Sequence, residues 1–309
     1  MAKVSVLIPS RNEPFLPRTI DDIFAKATGE IEILVMLDGY WPVPVLKDRP
    51  NLILVHVSEP RGNIYGINAL VNIASGQYIM KTDAHCMFGE GFDEILQVDC
   101  DYEWLAVPSR YQLLAETWER GRGPIDYLYL TYPYLPESQF GGSLHGKKWQ
   151  GETGLKGEYF YKERVLKDAL IDDIMAFQGS CWFMHRARFL ELGGYDPYFY
   201  HFQEPQAIGM KVWLADKGRC VRNKKTWYAH MHKGKQYGRF YYLSKSQCVD
   251  EEIYSADFWM HDRWQHPLKT RDVRWYVEHF WPIPGWPEDW DDPKYEQAFV
   301  HPGLRGNGR

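Results

Sequence analysis

A chain of 309 residues, 45% hydrophobic and 25% charged, has the composition of a soluble globular protein and can hold one large α/β domain with an extension. A net charge of −5 does not suggest a general nucleic-acid binder, and the five scattered cysteines form neither a CxxC zinc pattern nor a disulfide framework. The Met-Ala-Lys start leads straight into a strand-like run, without a signal-peptide pattern. No apolar run is long enough for a transmembrane segment, so the expected compartment is cytoplasmic, or the host cytoplasm for a viral protein.

Val4-Ser-Val-Leu-Ile-Pro9 reads as a buried parallel strand, followed by the polar loop Ser10-Arg-Asn-Glu-Pro14 and a helix from Thr19 to Ala27. Strands follow at Ile31 to Leu37, stopping at Asp38-Gly39, and at Leu52 to Val57. A helix from Gly66 to Ala74 leads to a fourth strand, Tyr78 to Lys81, which runs into Thr82-Asp-Ala-His85. The order β-α-β-β-α-β predicts an α/β fold: a mainly parallel sheet flanked by helices. Ligands of such sheets lie beyond the carboxyl ends of the strands, where Asn12, Glu13, Asp38 and Asp83 all fall.

The middle, Tyr111 to Leu155, is rich in Gly, Pro and Tyr and reads as loops, with Gly141 to Lys148 mobile. Ile174 to His185 reads as one strand, Ala187 to Leu192 as a short helix, and Pro205 to Lys217 as a longer one. Lys211 to Lys245 holds 10 Lys/Arg against one acid, Asp216, a local net of 10 − 1 = +9. From about Asp250 the composition changes: six of the 13 Trp lie here, beside the acidic Glu288-Asp-Trp-Asp-Asp292. The expected organisation is a catalytic domain over 1–248, divided into a nucleotide-binding half (1–100) and an acceptor and metal half (101–248). A Trp-rich C-terminal extension over 249–309 packs on it.

Asp83-Ala-His85 is the sharpest local feature. Residues i and i+2 of an extended segment project to one side, so a carboxylate and an imidazole there can share a divalent cation. Such oxygen-plus-nitrogen ligation suits Mn2+ better than Ca2+, with Mg2+ as the alternative. Alone, the pair fits a capping Asp beside an unrelated His better than a metal site; the strand-end context shifts the weight to the metal. His230 and His232 alternate on a strand-like run, facing one side, and offer a third ligand. Lys233, Lys235 and Arg239 follow in a Gly-containing segment that could close over a diphosphate. Glu204, just before a helix, fits either a helix cap or a carboxylate serving an acceptor hydroxyl, and His201 is a second candidate for that work.

Together these residues resemble GT-A glycosyltransferases of the family-2 type. The D-x-H form is similar to the catalytic domains of polypeptide N-acetylgalactosaminyltransferases. Phe177-Gln-Gly-Ser-Cys-Trp182, Phe189-Leu-Glu-Leu-Gly-Gly-Tyr-Asp196, Glu204, Trp213 and His230 fall in that group's order, and the likeness spans about residues 3 to 240. The resemblance implies a GT-A (Rossmann-like) fold and a nucleotide pocket lined by Pro9, Ser10, Asn12 and Glu13, with Glu13 near the base. It also implies Asp38 at the base or ribose, Arg61 and Gly66 beneath the nucleotide, and a metal, usually manganese, on Asp83, His85 and His230. Glu204 would sit near acceptor and sugar, and Lys233 and Arg239 in a loop that gates the donor. The chain departs from the group at Pro205-Gln-Ala207, where the group carries Asn and then another acid.

The function expected is transfer of a sugar from a nucleoside-diphosphate sugar, UDP first, to an acceptor hydroxyl. The acceptor could be a glycan, a lipid-linked glycan or a hydroxymethylated base in DNA, the last suggested by the basic stretch and the Arg-containing tail. From other classes stand a non-catalytic nucleotide-sugar-binding protein and a nucleotidyltransferase. The second lacks its expected Gly-rich basic loop.

Overall fold

The computed structural model describes residues 3–124, 127–133, 144–149, 169–199, 203–233, 237–238 and 244–292. Arg239, Lys235, His201, residues 141–143 and the tail beyond 292 lie outside them.

The first half forms as the apolar pattern predicts. Strands β1 (Val4–Ser10), β2 (Ile31–Asp38), β3 (Leu52–Val57) and β4 (Tyr78–Thr82) pair in parallel, in the order β4-β1-β2-β3. Every residue of β2 is buried, as befits a strand covered on both faces; its apolar middle, Ile33 to Leu37, is bounded by the buried carboxylates Glu32 and Asp38. Helix α1 (Leu16–Lys26) begins three residues before the expected Thr19, because Pro17 suits a first helical turn; Leu16, Ile20 and Ile23 face the core. Helix α2 (Asn63–Ile73) lies close against the sheet. A Cβ on its Gly66 would stand 3.2 Å from Met36 and 3.6 Å from Pro9, so both residues serve this approach.

The second half continues the same sheet with mixed polarity. Short β5 (Cys86–Phe88) and helix α3 (Phe92–Asp99) lead to β6 (Trp104–Leu114), whose far end pairs with β7 (Glu119–Arg120). Beyond the small β8 (Leu128–Leu130) and β9 (Gly146–Lys148) hairpin come β10 (Ile171–Asp173) and β11 (Cys181–His185). Helices α4 (Arg186–Glu191) and α5 (Glu204–Leu214) precede β12 (Arg219–His230). The full order is β10-β12-β6-β11-β4-β1-β2-β3, with β11 antiparallel to both neighbours and β12 parallel to β6.

Two expectations are corrected here. Tyr111 to Leu155 is not all loop, since β6 runs to Leu114 and the hairpin follows. Proline in a strand interior argues against a central strand, yet Pro108 lies within β6, opposite Asn223, where the register with β12 shifts. Ile174 to His185 is not one strand: Ile174 and Ala176 bond backbone carbonyls of Cys220 and Leu128, and the chain turns before β11.

The described part of the C-terminal segment adds α6 (Lys245–Met260) and α7 (Val273–Phe280), the latter capped by Asp272 accepting from Trp275 N at 2.8 Å. Trp259, Trp264, Tyr276, Phe280, Trp286 and Trp290 join the main core cluster. Tyr276 Oη donates to Met175 O and Trp286 Nε1 to Leu130 O, each at 2.6 Å. These two aromatic polar atoms thus meet main-chain acceptors, and the buried tryptophans of this segment serve packing. No described helix is long and apolar enough to cross a membrane.

Candidate metal and donor site

The carboxyl ends of β1, β2, β4 and β12 meet at one edge of the sheet. Asp83 and His85 follow β4. His230 ends β12, and its register opposite Cys86 of β5 brings it beside His85. Main-chain bonds hold the junction, with Asp83 N donating to Ser180 O at 2.9 Å and Met231 N to His85 O at 3.2 Å.

Three donor atoms converge there. His85 Nε2 and His230 Nε2 are 3.0 Å apart, and Asp83 Oδ2 lies 3.2 Å from His230 Nε2 and 3.9 Å from His85 Nε2. Among the described residues, Asp83, His85 and His230 form the one cluster of possible metal ligands. Bonds of about 2.1 Å at right angles leave adjacent donor atoms about 3 Å apart, close to the spacing found. The chemistry also fits. His85 Nδ1 donates to Glu13 Oε2 at 2.9 Å, which leaves the Nε2 lone pair facing inward. Burial, more than any neighbour, lowers the His230 pKa to about 3 and keeps its imidazole neutral. Burial opposes the charge of Asp83, but Lys81 and His230 outweigh it and hold the carboxyl well below its ordinary range. A carboxylate and two imidazole nitrogens form a coherent donor set for a divalent cation of the Mn2+ kind.

The remaining sequence-predicted residues fall around this centre in several roles. Glu13 is buried; besides His85 it accepts from Phe15 N at 3.1 Å and pairs with Lys233. Burial raises its pKa, but the hydrogen bond and charge of His85, with Lys233, prevail and lower it. Its carboxylate therefore lies against the metal cluster. Asp38 turns both oxygens to the backbone, accepting from Arg61 N at 2.6 Å and Gly62 N at 3.1 Å, and so fastens the loop that enters α2. Ser10 Oγ meets Tyr40 Oη at 2.5 Å, Asn12 adopts a left-handed backbone at φ 49°, and the Arg61 guanidinium lies 4.9 Å from the Tyr65 ring centre. Glu204 is 2% exposed inside the protein, where Trp182 Nε1 and Tyr195 Oη donate to its Oε1 at 2.7 and 2.6 Å. His232 lies beyond the end of β12 and is exposed; its Nε2 is 3.4 Å from Arg110 Nη1, and Arg110 also donates to Gln178 Oε1.

Within the basic stretch, several of the described cations have partners inside the protein. Lys211 donates to Gly194 O, Arg219 pairs with Asp173, Arg222 reaches Ser109, Lys225 pairs with Asp99 and Lys233 with Glu13. These five of the ten cations of the stretch are held by partners within the protein.

The sequence reading passed over Lys81. Its ammonium meets Asp83 Oδ1 at 2.7 Å and Glu204 Oε2 at 3.3 Å, and it donates to Gly179 O while 2% exposed. A lysine at i−2 from the Asp of a candidate metal cluster was a visible signal, because the two share one side of the strand.

A mixed sheet of this order, with a strand-end Asp-x-His cluster completed by a distant histidine, defines the GT-A class of glycosyltransferases. The profile of glycosyl transferase family 2 matches residues 5–187, and the chain belongs to that family. A Drosophila melanogaster protein described as polypeptide N-acetylgalactosaminyltransferase 13 is 28% identical over 235 residues, covering 69% of this chain and 39% of that protein. The chain thus corresponds to about two fifths of this relative's length. The crystal structure of GalNAc-T7 with UDP, GalNAc and Mn2+ superposes with a TM-score of 0.68 at 16% identity, covering 91% of this chain and 57% of that one. That likeness is one of fold.

Proposed function

We propose that the chain transfers a sugar from a nucleoside-diphosphate sugar, a UDP-sugar first, to a hydroxyl of a glycan acceptor, with Mn2+ as the divalent cation. The observation that carries this is the convergence of Asp83, His85 and His230 on the ligand-binding edge of the sheet. Support for UDP and Mn2+ comes from the UDP and Mn2+ bound in the GalNAc-T7 structure.

Asp83, His85 and His230 would hold the cation, which when bound neutralises charge on the departing diphosphate. Glu13 orients His85 and fixes its tautomer. Lys233, paired with Glu13, stands where a second positive charge can reach the same phosphates. Glu13, Asp83 and Glu204 are all engaged by cations or hydrogen bonds. None of the three is therefore offered as a base for the acceptor. An oxygen of the leaving diphosphate takes the acceptor proton in this reading, and the sugar is transferred with retention. The internal pairing of the basic stretch favours a glycan over a DNA acceptor.

The test is a thermal-shift panel of UDP and UDP-sugars with and without Mn2+, on the wild type and Asp83→Ala. Stabilisation that needs both nucleotide and metal, and disappears in the variant, is expected. Equal stabilisation without metal would sink the proposal.

A further inference from the structure

We propose that Lys81 is a positioning residue for the metal site and Glu204 its anchor, a buried Glu204–Lys81–Asp83 chain deciding which Asp83 oxygen is left for the cation. This rests on the metal reading above and adds a device to it.

Lys81 is the fourth residue of β4 and lies opposite Trp182 of β11. Cross-strand neighbours share a face, and both reach the same carboxylate: Trp182 through Nε1 to Glu204 Oε1, Lys81 through Nζ to Glu204 Oε2. The three ammonium protons of Lys81 match three acceptors, Asp83 Oδ1, Glu204 Oε2 and Gly179 O. Tyr195 Oη completes the set around Glu204. A carboxylate so enclosed does not reach an acceptor hydroxyl, but it can hold a lysine in place.

At the other end, Asp83 divides its oxygens. Oδ1 belongs to Lys81, and Oδ2 is the atom 3.2 Å from His230 Nε2. An unrestrained carboxylate could offer either oxygen or both to a cation. With Oδ1 held, one oxygen remains, at one position. Lys81 and Glu204 carry opposite charges, so together they add no net charge beside the cation; what they supply is orientation. Gly179 belongs to the same device, since a Cβ there would overlap Oε2 of Glu204 and stand 3.2 Å from its Cδ.

The paired charges make the test clean. Lys81→Met with Glu204→Gln removes both ends of the ion pair while leaving net charge and volume almost unchanged. Gly179→Ala changes no charge and displaces the enclosed carboxylate of Glu204, its Cβ also standing 3.2 Å from Pro205 Cδ. Mn2+ is titrated into each full-length protein and the free ion counted by its electron paramagnetic resonance, with a melting curve on the same sample to show cooperative folding. Loss of a group that orients a metal ligand typically weakens binding by about 10–100-fold, and the double variant is expected in that range, with Gly179→Ala weaker than wild type by about tenfold. If the melting curves are cooperative and both variants bind Mn2+ as the wild type does, the positioning role is wrong. If the wild type itself leaves the free Mn2+ signal undiminished, the metal reading falls first and takes this proposal with it.

Discussion

The turn after β4 and the end of β12 supply one site by different routes. Asp83 and His85 reach it locally, through two-residue alternation at a strand end. His230 reaches it across 145 residues, through the pairing of β12 with β5 that sets it opposite Cys86. The first region carries its own supports, with Glu13 behind His85 and Lys81 behind Asp83. The second contributes a buried neutral imidazole whose Nδ1 has no hydrogen-bond partner among the described residues. A cation bound here would therefore also tie the second half of the sheet to the first.

The largest effect should come from breaking either side. Asp83→Ala and His230→Ala are each expected to lower turnover by about 10²–10³-fold, the several kcal/mol a metal contributes to a developing charge. Initial rates of UDP release at saturating donor check this, and a near-normal rate in either variant would break the comparison. Glu13→Gln should act more mildly and on the first region alone. His85 keeps its place but loses the carboxylate that fixes its tautomer, and Mn2+ binding should weaken by about 10–100-fold, read by calorimetry. Unchanged affinity would mean that Glu13 acts through Lys233 rather than through His85.

The same contrast explains how much could be read in advance. The parallel strands and Asp-x-His are local patterns, and both were legible: an apolar run such as Ile33 to Leu37 has few other outcomes. His230 was legible only as one of two alternating histidines, because what separates it from His232 is the residue at which β12 stops. Strand β6 was hidden by its Pro108, which the register shift with β12 accommodates. Glu204 was visible as chemistry but its direction was not. Nothing local shows that Trp182, Tyr195 and Lys81 close around it, since those contacts exist only once β4, β11 and α5 are packed. The pairing of the basic stretch was hidden for a similar reason: the partners Asp99, Asp173 and Glu13 lie far away in sequence.

Asp38 sharpens the comparison from the side of stability. It stands at a strand end, as Asp83 does, yet its oxygens serve Arg61 N and Gly62 N. Asp38→Ala leaves two backbone donors without their charged acceptor and should cost about 2–3 kcal/mol. Urea denaturation measures that loss. Mn2+ affinity should stay at the wild-type level, because no ligand leans on Asp38; a parallel fall in affinity would show the two strand ends to be coupled.

The smallest expected effect lies at the opposite end of the first-half sheet. Glu32 of β2 accepts from Ser5 Oγ at 2.6 Å, Ser75 N at 2.7 Å and Ser75 Oγ at 2.9 Å, and pairs with Lys3 at 2.9 Å. Burial raises its pKa, but these donors outweigh burial and bring it down to about 2. A folded pKa below the unfolded one means that the unfolded chain takes up the proton first. The stability Glu32 contributes is thus complete above the ordinary value of 4.5 and declines as pH falls toward 2. Screening at the Lys3 end leaves about 1–2 kcal/mol of this at neutral pH. Urea titrations of wild type and Glu32→Gln at a series of pH values should therefore show a gap that is constant above pH 5 and closes as the pH drops to 3 and below, on the order of one pH unit to either side. Metal binding at neutral pH should be the same in both, because this carboxylate stands at the far edge of the strands from Asp83. A gap that persists at low pH would mean that Glu32 acts through shape and hydrogen bonding, not through its charge.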